Sequence, residues 1–376
     1  MALVLNATGT SSPYVKGVEL RIRRHLPPEP FGGEYGPNPR PKVPVRIDGL
    51  PVKRVAFALD NPPLETGPLI GDEHSFTITG TKTLRRPGVD PGGADVVTGY
   101  FDRDESAVYL AKIYDGVYYP LENRNMGWDC MTLADHDYAI EGWAYESMQP
   151  VATVGAKLVP EYFGAWTFPV STDQPGHPRW VRMLLLQFVQ GETVFDKILK
   201  ATKNDTVQYS LLPDENLRLQ VLKNTFEAEI RIWWDAEVRH QDLEPRNVIV
   251  QADGNVVIID FNDALVYRFC GYSEHPKNSD PLFRSPIEHY WPFIPGRDTF
   301  AYSEEQGGPW GNWIPEGWVE NKESAAEWLL KTWGNPPPDT YKPLSDRFLN
   351  HLAHRERSKA VLEGLEKLGR KPAESK

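Results

Sequence analysis

The residues with the clearest chemical meaning stand close together in the second half of the chain. They are His240-Gln241-Asp242-Leu243-Glu244-Pro245-Arg246-Asn247, followed 18 positions after Asp242 by Asp260-Phe261-Asn262. Each acid taken alone reads as a solvated loop residue or a helix cap, so the surrounding elements decide the reading. The stretch Asp214–Arg239 predicts a long helix, and Pro213, Asp214 and Glu215 are all favourable at a helix N-terminus. Two β-like runs, Val248–Gln251 and Val256–Ile259, flank the turn Ala252–Asn255 and predict a hairpin that ends at Asp260. A helix, a tight loop and a hairpin in this order can set two carboxylates and an amide around one pocket. There, one acid handles a hydroxyl proton and the other groups hold magnesium.

The pattern His-x-Asp-Leu-x-x-x-Asn followed by Asp-Phe resembles the catalytic loop and metal-binding motif of protein kinases and related small-molecule kinases. The resemblance covers roughly residues 73–290 and is nearer to atypical fungal kinase-like proteins and the aminoglycoside- and choline-kinase type than to regulated protein kinases. It implies an α+β, bilobal protein-kinase-like fold, with an antiparallel β-rich N-lobe and a mainly helical C-lobe that bind ATP and magnesium in the cleft between them. It also implies roles: Asp242 positions or deprotonates an acceptor hydroxyl, Asn247 and Asp260 hold Mg2+, and Arg246 lends charge to the transferring phosphoryl group.

Partners stand upstream in the order the resemblance requires. Three β-like runs, Ser75–Leu84, Asp95–Phe101 and Ala107–Tyr114, predict an antiparallel meander, and Lys112 lies on its last strand. Alternation puts Lys112 on one face with Val108, Leu110 and Tyr114, an apolar face where an ammonium needs a partner. The implied partner is Glu141, preferred over Glu146, on a helix expected over Ala134–Met148. Strands are expected around Glu161–Trp166 and over Val181–Val189. Arg182–Gly191 resembles the strand that leads into the hinge, which places the backbone of Gln187, Phe188 and Val189 at the adenine edge.

Residues 1–72 read as a partly β N-terminal extension with β-like runs at Val18–Arg23 and Val43–Leu59. Seven prolines and three glycines between residues 27 and 44 exclude helix there. Residues 73–189 read as the N-lobe. Residues 190–376 read as the C-lobe, with a Trp-, Pro- and Gly-rich segment, a helix at Glu323–Trp333 and a helical tail from Pro343. The Trp-rich segment 291–333 reads either as C-lobe core or as the lining of a substrate pocket.

Several positions depart from the family pattern. Gly88, Gly92 and Gly93 replace an ordered glycine loop over the phosphates. Glu244 stands where many protein kinases carry a lysine, and Arg246 either substitutes for that charge or pairs with Glu244. Gln241 replaces an arginine that reads an activation-loop phosphate. Asn262 replaces the glycine of Asp-Phe-Gly and is tolerant of special backbone angles. Ser285-Pro286-Ile287-Glu288 is an imperfect counterpart of Ala-Pro-Glu.

A formal charge of −11 argues against nucleic acid as a partner, and two distant cysteines form neither a disulfide framework nor a zinc site. The start lacks a signal-peptide pattern and no apolar run reaches membrane-spanning length, so the expectation is a cytoplasmic protein without a membrane span. The expected activity is ATP- and Mg-dependent phosphoryl transfer to a hydroxyl on a small-molecule or protein acceptor. The alternatives are a nucleotide-binding pseudokinase scaffold, or a different reaction on a metabolite. No motif specifies the oligomeric state.

Overall fold

Strand β1 (Glu19–His25) buries Leu20 and Ile22 and turns Glu19 and Arg21 outward, as strict alternation dictates. The computed structural model describes residues 12–40, 51–65, 67–81, 93–119, 128–172, 176–204, 206–271, 282–291, 310–318, 321–335, 337, 339–349 and 363. The chain divides into two compact units, Met1–Val189 with Asp260–Ser273, and Gln190–Ile259 with Glu274–Lys376.

In the first unit, β1 is joined by β2 (Ile70–Thr81), β3 (Asp95–Phe101), β4 (Tyr109–Tyr114), β5 (Tyr162–Val170) and β6 (Arg179–Gln187). These six antiparallel strands close into a barrel in the order β1-β2-β3-β4-β6-β5. The closed barrel corrects the expected bilobal protein-kinase-like fold. The physical reason is β1 itself, which lies inside the stretch read as an extension. It pairs with β2 from Glu19↔Thr77 and with β5 from Arg23↔Thr167, so the sheet has no free edge left at that seam.

Leu20, Ile22, Phe76, Ile78, Val97, Ala111, Ile113, Phe168, Val181, Met183 and Leu185 fill the barrel. Burying each large aliphatic or aromatic side chain is worth roughly 1.5–3 kcal/mol. Gly99 on β3 must lack a side chain, because a Cβ there would sit 2.3 Å from the Thr77 carbonyl oxygen and 2.5 Å from the Phe76 ring.

Helix α1 (Pro51–Asp60) occupies the second half of the run Val43–Leu59, which was expected to be extended; residues 43–50 lie outside the described residues. Helix α2 (Cys130–Met148) starts at Asp129, whose carboxylate accepts the N–H groups of Met131 and Thr132. It is buried on nearly all sides, because the outer surface of the barrel covers one face and residues 26–40 cover another. Gly142 marks the closest approach: a Cβ there would meet Pro27 at 2.7 Å and Leu184 of β6 at 3.5 Å.

In the second unit, β7 (Glu192–Thr193) leads into α3 (Val194–Ala201) through a capping box formed by Thr193 and Asp196. A two-residue pair, β8 (Thr202–Lys203) and β9 (Thr206–Val207), precedes α4 (Glu215–Ala236), which is capped by Asp214. After the short β10 (Val238–Arg239), the hairpin β11 (Val248–Val250) and β12 (Val256–Ile258) forms a three-stranded sheet with β7. Among the described residues, α5 (Pro286–His289) and α6 (Lys322–Trp333) follow, and residues 346–349 are also helical.

Within the Trp-rich segment 291–333, Trp291, Trp310, Trp313, Trp318 and Trp333 are buried and Trp328 is half-buried. Buried Arg218 of α4 donates to the carbonyls of Trp313 and Ile314 at 2.5 and 2.9 Å, and the Trp313 indole donates back to the Arg218 carbonyl. These residues therefore pack as core. Gly88, Gly92, residues 292–309 and most of the expected helical tail lie outside the described residues. No described helix is long and apolar enough to cross a membrane.

Candidate functional site

Within the first unit, β4 turns Ala111 and Ile113 into the barrel and therefore turns Lys112 and Tyr114 toward α2. The Lys112 ammonium donates to Glu141 of α2 and to Asp260 Oδ1, the latter at 2.5 Å. Tyr114 donates its hydroxyl to the same Glu141 oxygen at 2.5 Å, and the Phe261 backbone N–H donates to the other at 3.2 Å. Exposure falls steeply across this cluster. The Glu141 side chain is 0% exposed, Lys112 12% and Asp260 36%.

Burial alone would lower the pKa of Lys112, but the carboxylates of Asp260 and Glu141 outweigh it and hold the ammonium above its ordinary value. The lysine is therefore a fixed cation at neutral pH. Burial of Glu141 shows why three donors converge on it: an unpaired carboxylate at that depth would cost several kcal/mol, on the order of 3–5 if its ammonium partner were removed.

Asp260 adopts a left-handed backbone with φ of 68°, uncommon for a residue with a Cβ, and it follows β12 directly after Ile259. The special angle expected at Asn262 thus falls two residues earlier. Such strain, on the order of 1–3 kcal/mol, persists only where the surroundings over-determine it. Here the Lys112 bond fixes the Asp260 carboxylate, and the Phe261 N–H bond to Glu141 fixes the peptide that follows it.

The second unit holds the other motif. His240 is buried; its Nε2–H donates to the Ile259 carbonyl at 2.9 Å, and its Nδ1 accepts the Asp242 N–H at 3.2 Å. The loop then turns through Gln241 at φ of 64°. Buried Asn247 donates its amide to the Asp242 carbonyl at 2.8 Å and to Asp242 Oδ2 at 2.9 Å, which fixes that carboxylate. Arg246 donates to the same Asp242 oxygen at 2.8 Å and also pairs with Glu244. Of the two roles open to Arg246, the pairing with Glu244 is present in this conformation.

Lys112, Glu141 and Asp260 are thus brought together in one unit, and Asp242, Arg246 and Asn247 in the other. Gln187 ends β6 opposite Tyr109, and its N–H donates to the Glu161 carbonyl at 2.8 Å; Phe188 and Val189 follow at the end of the first unit's main segment. The sequence reading left out the polar role of Tyr114, although its position two residues beyond Lys112 on the same strand face was available as a signal. Asp260 and Asn247 offer hard oxygen donors of the kind magnesium takes. Among the described residues no group of three His, Cys, Asp or Glu side chains is placed to hold a metal, but magnesium bound with a nucleotide needs only one or two carboxylates besides phosphates and waters.

In comparison with known proteins, the chain matches no family model and no curated sequence.

Proposed function

We propose that the protein is an ATP- and magnesium-dependent phosphotransferase acting on a hydroxyl of a small molecule or protein. One observation carries the reading: a single ammonium, Lys112, is bonded both to a fully buried carboxylate and to a half-open one, Asp260. An ammonium anchored from behind and presented beside an oxygen donor suits a polyphosphate that arrives with a divalent cation. In this reading Lys112 of the first unit contacts phosphate oxygens and Asp260 holds magnesium; in the second unit Asn247 offers an oxygen donor for magnesium and Asp242 orients or deprotonates a hydroxyl. Bound magnesium neutralises phosphate charge. The hydrogen bonds from Asn247 and Arg246 to Asp242 support its role, because they fix the orientation of the carboxylate.

The test is incubation of purified protein with γ-labelled ATP, magnesium and cell extract. Label moving to protein or to a small molecule supports transfer. A second reading, nucleotide binding without turnover, is favoured by the Arg246–Glu244 pair, which occupies the one cation adjacent to Asp242 in this loop. It predicts stabilisation by Mg-ATP with no movement of label.

A further inference from the structure

Glu141 of α2 and the three donors that meet on it, Lys112 and Tyr114 of β4 and the Phe261 N–H, come from three separate pieces of chain: β4, α2 and the segment from Asp260 onward. Two of these pieces are also tied to residues 26–40, which the barrel does not require. Tyr35 is buried, donates its hydroxyl to the Ala264 carbonyl at 2.6 Å and accepts the Val266 N–H at 2.8 Å. It thereby grips the segment four to six residues beyond Asp260 at both a carbonyl and an amide. Arg40, with its side chain 11% exposed, donates its Nε to Asp135 of α2 at 3.1 Å and its guanidinium also reaches the Pro62 carbonyl at 2.6 Å. The same Asp135 carboxylate accepts the Leu64 N–H at 3.0 Å. Farther along α2, the Trp143 indole donates to the Pro28 carbonyl at 2.9 Å, and Pro27 presses on Gly142, one residue after Glu141.

We propose that residues 26–40 form a strap, with Tyr35 and Arg40 as positioning residues, that holds α2 and the segment after Asp260 in the register where Lys112, Glu141 and Asp260 meet. Tyr35 grips backbone groups of Ala264 and Val266, and Arg40 grips Asp135 and the Pro62 carbonyl, so the strap acts by placing the segments that carry these three side chains. Its loosening would let α2 and residues 260–266 shift apart and would separate Lys112 from its carboxylates while the barrel stays closed. The inference deepens the nucleotide-binding reading and rests on it for its functional consequence, but its structural content is tested independently.

The experiment is trace acetylation of lysines in the full-length protein, read by mass spectrometry, together with backbone hydrogen exchange, for wild type, Tyr35→Phe, Arg40→Ala, Arg40→Lys and Glu141→Gln. The expected result is Lys112 acetylation raised roughly tenfold in Tyr35→Phe and Arg40→Ala, the shift in an opening equilibrium that loss of such buried hydrogen bonds produces. Arg40→Lys restores part of the protection. Exchange rises in α2 and residues 260–266 while β3 and β4 stay protected. Unchanged Lys112 labelling in Tyr35→Phe would overturn the strap, and so would exchange rising equally throughout the first unit, which marks plain destabilisation. Tyr35→Phe decides the matter if Arg40→Ala does not fold. Isothermal titration with Mg-ATP on the same proteins separates the two ideas: no binding by wild type sinks the nucleotide reading, while the labelling still judges the strap.

Discussion

Tyr114 and Glu141 share a hydrogen bond of 2.5 Å in which the phenol donates to the carboxylate oxygen that also takes the Lys112 ammonium. The two donors sit two residues apart on β4, so one strand face supplies both. Removing the hydroxyl leaves a buried anion with one donor fewer, and a hydrogen bond to a charged group contributes about 1.5–3 kcal/mol. Tyr114→Phe is expected to lose that much in urea unfolding. A loss below about 0.5 kcal/mol, the range of an ordinary surface substitution, would mean that Glu141 does not depend on this phenol.

His25 makes stability depend on pH. Burial first, and then the charge of Arg182, lower its pKa from 6.5 to about 4. The neutral ring is satisfied: Nδ1–H donates to the Leu26 carbonyl at 2.8 Å and Nε2 accepts the Tyr138 hydroxyl at 3.0 Å. Because the folded pKa lies below the unfolded one, the unfolded chain takes up the proton first as pH falls. The contribution is complete above about pH 6.5 and is lost progressively toward pH 4, amounting to at most roughly 3 kcal/mol. Unfolding curves at pH 7, 5.5 and 4.5 should diverge between wild type and His25→Gln. Parallel pH profiles would rule out the titration of this ring as the cause.

Gly142 is expected to resist even the smallest side chain. Alanine is favoured over glycine in a helix interior by about 1 kcal/mol. Against that, the added Cβ would lie 2.7 Å from a proline ring that cannot swing away. Overpacking of this kind costs about 1–3 kcal/mol, so Gly142→Ala should lower the melting temperature. A raised melting temperature would show that Pro27 yields freely.

Much of the local structure is legible in the sequence. β3 (Asp95–Phe101) was expected within the same bounds, and the long helix α4 and the hairpin β11–β12 within a few residues, because period and capping residues act locally. The barrel was not legible. Closure depends on β1 pairing with a strand about fifty residues on and another about 140 on, and the alternation Glu-Leu-Arg-Ile states which face is buried without naming the partners. Residues 51–59 are helical within the run Val43–Leu59 expected to be extended, because a short run such as Val-Lys-Arg-Val-Ala-Phe-Ala-Leu suits a strand or a helix equally until packing chooses. At the site, Lys112, Glu141 and Asp260 stood out by type and spacing. Tyr35 sits in a Pro- and Gly-rich stretch that carries no period, so nothing in it pointed to residues more than 200 positions away.

The loop after His240 offers a test of what Arg246 does. If its charge acts on the transferring group, Arg246→Ala lowers kcat by up to a few kcal/mol in activation free energy and leaves ATP affinity nearly unchanged. If it only braces the loop, Arg246→Ala and Glu244→Ala reduce stability alike and leave similar residual rates. Measuring kcat and melting temperature for both variants separates the two, and an unchanged kcat in Arg246→Ala ends the catalytic assignment.

Binding of Mg-ATP tests the central claim most directly. Isothermal titration of ATP into wild type and Asp260→Asn, each with and without magnesium, isolates the contribution of the one carboxylate that is both bonded to Lys112 and open to solvent. Wild type is expected to bind ATP with magnesium and to be stabilised by about 2.7 kcal/mol at a hundredfold excess over Kd. Asp260→Asn should stay folded and lose the magnesium-dependent part. No binding by wild type at millimolar Mg-ATP, or equal magnesium dependence in both proteins, would contradict the account.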